Sequence, residues 1–284
     1  MDRSLRDLTA QILTDISEYM GFDAKEIFEQ GDFIAIFGGA VRDSLAKKEI
    51  HDIDIACLPE SAYHLKDFLL EKGYYEVSLY DKDTWEMYEH ISVISEPWTF
   101  QNGKKTIQII RPRFLATNGP NRTKFTCGRH PFPLPPLFTD EKAVNAYYSI
   151  LSGVDITACG VFIEKNNHEA KIGGGSKNNE ILLKESYKNA ILHCLAKVFE
   201  IKENSGMYEK KRTDHRSFKL QDRGWACLDD EYGRKQKKLI VYQRILKLIK
   251  TELTYDYNCT IWGSSFVSNK EEPLIDTELE LDQW

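Results

Sequence analysis

The sequence of 284 residues has no apolar run approaching the roughly 20 residues that are needed to span a bilayer. Its N-terminal segment mixes acidic with apolar side chains and contains no hydrophobic segment of the signal-peptide type, so we expect a cytoplasmic protein with no membrane partner. Its six cysteines include no CxxC pair. This cysteine usage in a cytoplasmic protein indicates reduced thiols.

The charge of the chain is unevenly distributed, although its composition is that of an ordinary globular protein able to bury a sizeable core. The net charge is −6. Residues 1–110 carry 11 basic and 21 acidic side chains, residues 184–250 carry 17 basic and 9 acidic ones, and residues 271–284 hold six acids and no base. A basic segment beside an acidic domain is typical of a protein that binds a polyanionic substrate together with metal ions. A helix face exposed to solvent is the alternative explanation of the same charges.

The order of apolar and polar residues predicts an α/β fold. Helical spacing predicts helices over about residues 3–20, 40–48, 180–200 and 233–253, one from the cap Ser61 to the stop Gly73, and one starting near Glu141. Apolar runs predict strands over about residues 33–37, 52–58 and 153–163, and a hairpin around Asn102-Gly103. A proline-rich irregular loop at 111–139 and a glycine loop at 171–180 interrupt them. We expect an α/β (α+β) domain with a small mixed sheet flanked by helices, followed by a smaller helical, basic part.

Two aspartates interrupt the predicted strand "DIDIACL" at residues 52–58. Side chains at positions i and i+2 of a strand point to the same face, so Asp52 and Asp54 project together and the neighbouring isoleucines point into a core. Two ionised carboxylates so close repel each other and raise each other's pKa. A divalent cation such as Mg²⁺ would relieve the repulsion and bridge to substrate phosphates, whereas acids at a solvent-facing sheet edge need no cation.

A glycine pair, Gly38-Gly39, ends the preceding predicted strand and opens a short helix. The backbone there can approach a phosphate closely and free N–H groups point toward it, although a glycine pair can also form a simple turn. Arg42 lies on the first turn of the helix and could reach a triphosphate. Asp43 either pairs with Arg42 or contacts the nucleotide sugar.

The strings "GGAVRDSL" and "HDIDI" resemble the signature of the DNA-polymerase-β-like nucleotidyltransferase superfamily. They are similar in particular to the branch that contains tRNA CCA-adding enzymes and bacterial-type poly(A) polymerases. The resemblance covers residues 30–60 well and residues 100–180 loosely. It implies a nucleotidyltransferase catalytic domain at 1–183, a neck-like helical basic domain at 184–255, and a C-terminal segment with an acidic tail at 256–284.

The resemblance also implies a third catalytic carboxylate on a neighbouring strand. Asp155 in "GVDITACGV" is the candidate, because it is a lone acid between Val154 and Ile156 in a setting similar to the family's Asp-Phe-Thr-x-x-x-Ala strand. The alternative for Asp155 is an edge-strand acid. Asp140 is a competing carboxylate, but its position before Glu141 is typical of a helix cap.

A two-metal transfer reaction is the mechanism that the resemblance implies. Asp52 and Asp54 would hold both Mg²⁺ ions, which Mn²⁺ can replace, and Asp155 would complete the site that activates the attacking hydroxyl. The glycine pair and Arg42 would seat the triphosphate. A nucleoside monophosphate would pass to an acceptor hydroxyl with release of pyrophosphate.

Base selection in the CCA-adding branch uses an acidic-acidic-x-x-Arg motif on a neck helix, and "DEYGR" has that spacing. Asp230, Glu231 and Arg234 would then select ATP or CTP, although an ion pair on a helix surface gives the same spacing. The basic segment 209–224 either binds RNA phosphates or forms a solvated loop. Trp225 either stacks on a base or belongs to a core.

The leading prediction is a template-independent nucleotidyltransferase that extends the 3′ hydroxyl of an RNA acceptor, with tRNA as one candidate. The same site could instead nucleotidylate a hydroxyl of a protein acceptor. A non-catalytic RNA-binding module that kept the fold is the third alternative. The presence of all three predicted carboxylates argues against it.

Overall fold

The computed structural model describes residues 5–77, 97–112, 141–165, 180–202 and 210–228. Its helices are α1 (Leu5–Met20), α2 (Gly39–Leu45), α3 (Pro59–Glu71), α4 (Glu141–Ser152), α5 (Ala190–Ala196) and α6 (Lys210–Asp222), with 3-10 helices at Ala24–Glu29 and Thr157–Cys159. Its strands are β1 (Ile34–Phe37), β2 (Ile53–Cys57), β3 (Tyr75–Val77), β4 (Trp98–Asn102), β5 (Lys105–Ile110), β6 (Val161–Lys165), β7 (Ile181–Glu185), β8 (Val198–Phe199) and β9 (Ala226–Cys227).

Seven of the strands form one mixed sheet in the order β3-β4-β5-β2-β1-β6-β7. Strands β2 and β5 run parallel, and the other neighbours run antiparallel. Strand β1 is buried along its whole length, which explains why its sequence is continuously apolar. The predicted fold class, a mixed sheet flanked by helices, is confirmed. Strands β8 and β9 form a separate parallel pair.

Helices cover both faces of the sheet. The larger apolar core lies between the sheet and helices α1, α2 and α3, and it includes Ile53 and Ile55 of β2. The opposite face carries a smaller core that contains Ala56 of β2 and Tyr147 of α4. Because alternate residues of a strand share a face, Asp54 lies on the same face as Ala56.

Several local predictions are wrong because contacts distant in sequence decide the structure. Residues 181–185 form strand β7 rather than part of a helix over 180–200, since they pair with the full length of β6. The strand predicted at 153–163 begins only at Val161. Helix α3 starts at Pro59 with Leu58 as its cap, while the Ser61 hydroxyl donates to the Asp32 carbonyl at 2.7 Å. The segment 209–224, for which a solvated loop was one alternative, contains helix α6.

The predicted hairpin is confirmed, with its turn shifted by one residue. Strand β4 pairs with β5 so that Asn102 lies opposite Lys105, and Gly103 and Lys104 form the turn. Gly103 has a φ of 61°, which suits a two-residue hairpin turn. The helix predicted at 233–253, nearly all of the loop at 111–139 and the glycine loop at 171–179 lie outside the described residues.

The described residues of the basic segment 184–250 pack against the sheet domain. Cys194 of α5 and Trp225 belong to the same apolar core as the strands, and the expected boundary at 183–184 falls within β7. Within the described ranges, cysteines 57, 159, 194 and 227 are buried and none of them forms a disulfide. None of the helices in those ranges is long and apolar enough to cross a membrane.

Candidate active site

Gly38 and Gly39 form the turn between β1 and α2. Gly38 has φ 68° and ψ −123°, a backbone conformation that residues with a Cβ rarely adopt. Its N–H donates to the Val161 carbonyl at 3.1 Å, which fixes the turn against β6. The Arg42 N–H donates to the Gly38 carbonyl at 3.0 Å. The turn therefore bends the chain sharply from the sheet into α2.

Asp52 and Asp54 face this glycine turn. A Cβ placed on Gly38 would lie 3.8 Å from Asp54 Oδ2, and one placed on Gly39 would lie 3.6 Å from Asp52 Oδ1. The register pairs Asp54 with Phe37, the last residue of β1 before the turn. The isoleucines on either side of Asp54 are fully buried, as the alternation predicts. The structure thus brings the two carboxylates and the two glycines together.

The Asp54 carboxyl lies in an unfavourable environment for a negative charge. Burial and, to a smaller extent, the charge of Asp52 raise the pKa of Asp54 to about 7, and the guanidinium groups of Arg216 and Arg42 oppose this only in part. Asp54 is half-buried and Asp52 is exposed. A cation beside these oxygens would stabilise the ionised pair.

The donor set of this pair fits a hard divalent cation, because carboxylate oxygens are the ligands that Mg²⁺ prefers. No three His, Cys, Asp or Glu side chains in the described ranges come together as a metal cluster. In the parallel register the residue of β5 beside Asp54 is Gln108, whose amide donates to the Thr99 hydroxyl at 3.4 Å. The described ranges therefore place two carboxylates, those of Asp52 and Asp54, at the glycine turn.

Asp155 lies in the segment that precedes the 3-10 turn, not in a strand, and it is fully buried. The Thr213 hydroxyl donates to its Oδ2 at 2.9 Å, and Arg216 Nη1 donates to its Oδ1 at 2.7 Å. The Asp155 carbonyl accepts the Lys202 N–H at 2.9 Å. These contacts do not test the role of Asp155 as a third metal ligand, which stays a prediction.

Arg42 is buried and forms a forked ion pair with Asp43. Its Nε and Nη2 donate to the two carboxylate oxygens of Asp43 at 2.7 and 2.8 Å, and its guanidinium lies 5.6 Å from the centre of the Trp225 ring. Burial alone would lower the pKa of Arg42, but Cys159 and Asp43 outweigh it and raise that pKa, so the group stays charged. Arg42 Nη2 also lies 3.8 Å from a Cβ placed on Gly39. Seating of a triphosphate by this charge stays a prediction.

Arg216 and Thr213 of α6 were not singled out in the sequence. Arg216 lies 61 positions from Asp155 along the chain, and its Nη2 lies 3.9 Å from Cys159 Sγ. One arginine in a stretch rich in lysine and arginine carries no distinguishing pattern, so only the fold reveals its position. Asp230 and Arg234 lie outside the described residues, and their role in base selection stays a prediction.

A cleft of about 630 Å³ adjoins the site between α1, the α2–β2 connection and the β4–β5 turn. It reaches His51, the residue before Asp52, but neither aspartate lines it. Its charged lining residues are Asp15, Glu18, Lys47, Lys48, Glu49, Lys104 and Lys105. This mixture of charges does not define a ligand.

A mixed sheet with a glycine turn facing two aspartates is the arrangement that the sequence resemblance implies for a nucleotidyltransferase head. No protein-family model and no curated protein matches the chain. Among solved structures, the chain is similar to a CCA-adding enzyme in apo form I, at 15% identity and a TM-score of 0.47 over 87% of this chain and 46% of that one.

Two further CCA-adding enzyme structures are similar over comparable shares of both chains, with lower TM-scores. One, from Thermotoga maritima complexed with tRNA, has 16% identity and a TM-score of 0.42 over 84% of this chain and 47% of that one. The other, in complex with CTP, has 12% identity and a TM-score of 0.39 over 83% and 46%. The chain spans less than half the length of these structures. Similarity at this level carries no statement about activity.

Alanine variants of the two glycines should differ in stability, because only Gly38 has a backbone conformation that strains alanine. We expect Gly38→Ala to lower the free energy of unfolding by about 1–3 kcal/mol, because alanine is strained at the φ and ψ of Gly38. Gly39→Ala should change it by less than about 1 kcal/mol, since the added methyl makes only ordinary contacts. Denaturant unfolding of both variants measures the difference, and equal stability losses would contradict the strained turn.

Proposed function

We propose that the chain transfers a nucleoside monophosphate from a nucleoside triphosphate to the 3′ hydroxyl of an RNA. The acceptor oxygen bonds to the α-phosphorus, the bond from that phosphorus to the α–β bridging oxygen breaks, the hydroxyl proton passes to solvent, and pyrophosphate leaves. The observation that carries the proposal is the Asp52–Asp54 pair facing the glycine turn.

Asp52 and Asp54 would hold Mg²⁺, or Mn²⁺ in its place, through their carboxylate oxygens. Such ions, when bound, neutralise phosphate charge and lower the pKa of an attacking hydroxyl. The raised pKa of Asp54 supports this role, because a carboxyl that needs compensating charge gains most from a nearby cation. A proton on Asp54 competes with metal, so at limiting Mg²⁺ transfer should become faster as the pH rises through about 7.

The α2 turn would contact the phosphates. Because residue 39 is a glycine, it places no side chain of its own between Asp52 Oδ1 and Arg42 Nη2. Asp43 fixes the guanidinium of Arg42 in place through two hydrogen bonds. A phosphate there would meet a fixed positive charge on one side and the metal-binding carboxylates on the other.

The charge distribution supports RNA as the acceptor. Residues 184–250 carry 17 basic side chains against 9 acidic ones, and α6 belongs to this segment. Basic surface supplies most of the sequence-independent affinity for a phosphate backbone. Addition of CCA to tRNA and poly(A)-like extension are both compatible with this basic segment. Selection of ATP or CTP by Asp230 and Arg234 is part of the proposal.

Incorporation of label into macromolecules tests the proposal. The purified protein and an Asp52→Asn/Asp54→Asn variant are incubated with each labelled nucleoside triphosphate, Mg²⁺, total RNA and cell protein. Label in RNA from the wild type alone is the expected result, and the labelled nucleotide identifies the base. Label in protein would replace the RNA acceptor by a protein hydroxyl. Absence of label in both, with Mn²⁺ as well, would favour a non-catalytic binding module.

A further inference from the structure

Two arginines lie at the candidate site, and they differ in what they contact. Arg42 is buried and pairs with Asp43 through both carboxylate oxygens. The Arg216 side chain is 34% exposed. Both guanidinium groups contact Cys159 Sγ, at 3.3 Å from Arg42 Nη1 and 3.9 Å from Arg216 Nη2. Arg216 therefore lies beside Arg42 and is the more exposed of the two.

The guanidinium of Arg216 is held by a rigid support. Its Nη1 donates to Asp155 Oδ1 at 2.7 Å, and the Thr213 hydroxyl, one turn earlier on α6, donates to the other oxygen at 2.9 Å. Asp155 is fully buried, and its carbonyl accepts the Lys202 N–H. A charge-assisted bond to a fixed carboxylate orients the whole planar group. Asp155 thereby fixes the orientation of the Arg216 guanidinium.

Contacts through Cys159 and Arg42 connect Arg216 to the glycine turn. Arg42 Nη1 and Arg216 Nη2 both contact Cys159 Sγ. A Cβ placed on Gly39 would lie 3.8 Å from Arg42 Nη2 and 3.6 Å from Asp52 Oδ1. The two guanidinium groups are therefore neighbours beside the glycine turn.

We propose that Arg216 binds a phosphate group of the nucleoside triphosphate and that Asp155 and Thr213 are positioning residues for its guanidinium. This inference rests on the proposed transfer reaction. Two neighbouring guanidinium groups beside a glycine turn supply the positive charge and planar N–H donors that phosphate oxygens prefer. Asp155 then acts through Arg216 and is not a metal ligand. Packing of α6 against Asp155 and Cys159 completes the phosphate site.

Steady-state kinetics on four variants tests this assignment. Arg216→Gln removes the charge but keeps an amide donor for Asp155, Arg216→Lys keeps the charge without the planar fork, and Asp155→Asn removes the charge of the support. Lys219→Ala removes an exposed charge of the same sign from the same helix and serves as the matched control. Thermal unfolding of each variant shows whether it is folded. If Arg216→Gln alone does not fold, the double Asp155→Asn/Arg216→Gln variant replaces it.

We expect Arg216→Gln to raise the KM for the nucleoside triphosphate by about 10- to 100-fold, with a smaller change in kcat, because a charge-assisted contact to phosphate is lost. Arg216→Lys should restore part of that loss. Asp155→Asn should raise the same KM by less than about 10-fold and leave the Mg²⁺ concentration for half-maximal rate unchanged. Lys219→Ala should change KM by less than about 2-fold.

A metal-free binding measurement complements the kinetics. Calorimetric titration with inorganic tripolyphosphate in the presence of a chelator should show weaker binding to Arg216→Gln than to the wild type and to Lys219→Ala. An unchanged KM and unchanged tripolyphosphate affinity in Arg216→Gln would overturn the assignment. A large rise in the Mg²⁺ requirement of Asp155→Asn would make Asp155 a metal ligand and overturn it too. Wild-type protein that transfers no nucleotide contradicts the proposed function instead.

Discussion

Asp54→Asn should abolish nucleotide transfer and at the same time stabilise the protein at pH 8. Transfer should fall by at least about 1,000-fold, because in the proposed mechanism Asp54 holds metal and its loss removes several kcal/mol of transition-state stabilisation. The stability gain has a separate cause, the unfavourable environment of the Asp54 charge in the folded protein. Opposite effects on activity and stability distinguish a functional carboxylate from one that merely supports the fold.

The pH dependence of this gain follows from the pKa of Asp54. Its ordinary value of 3.8 rises to about 7 in the folded protein, so the folded state binds the proton more tightly than the unfolded state. The associated stability is complete below about pH 4 and is lost as the pH rises to 7. Since Asp54 is half-buried and solvent screens part of the effect, the asparagine variant should be more stable by about 1–3 kcal/mol at pH 8.

Urea unfolding of wild type and Asp54→Asn at pH 4.5, 6 and 8 measures this difference. We expect it to grow with pH, and Mg²⁺ should stabilise the wild type but not the variant at pH 8. Asp67→Asn removes an exposed aspartate of α3 and is the matched control, with no change in transfer or stability. A wild type more stable than Asp54→Asn at pH 8 without metal would contradict the electrostatic environment described for this site.

Trp225→Ala should lower the free energy of unfolding by about 3–5 kcal/mol, the usual effect of removing a large buried aromatic side chain. Trp225 is fully buried in the main core. Its ring also lies against the guanidinium of Arg42. Trp225→Phe keeps an aromatic ring there and should lose less than half as much stability.

Phe218→Ala on α6, shortly before Trp225 in the chain, gives the matched comparison, because Phe218 is 59% exposed. It should change stability by less than about 0.5 kcal/mol. Denaturant unfolding and nucleotide affinity are measured for all three variants. Lost nucleotide affinity with unchanged stability in Trp225→Ala would make the tryptophan a base-stacking residue and contradict its place in the core.

Local sequence pattern was sufficient for the part of the site formed by neighbouring residues. The alternation around Asp54 predicted which side chains point into the core, and the glycine pair predicted the turn after β1. The pairing of β1 with β2 then brings the turn and the aspartates together. Backbone preferences and apolar periodicity act within a few residues, which is why these elements were predictable.

The contacts of Asp155 could not be predicted in the same way. Its partners Thr213 and Arg216 lie 58 and 61 positions later in the chain. Strand β7 was predicted as helix because pairing with β6, rather than its own periodicity, determines its structure. Packing between distant segments decides such cases, and a single sequence does not record it.

Binding of Mn²⁺ to the Asp52–Asp54 pair tests the central claim most directly. Electron paramagnetic resonance of free Mn²⁺ is measured during titration of wild type, Asp52→Asn/Asp54→Asn and the control Asp67→Asn, at pH 6 and pH 8. We expect wild type and control to bind Mn²⁺, more tightly at pH 8, and the double variant to lose that binding. Equal binding by all three proteins, or no binding by the wild type, would contradict the assignment of this pair as the metal-binding centre.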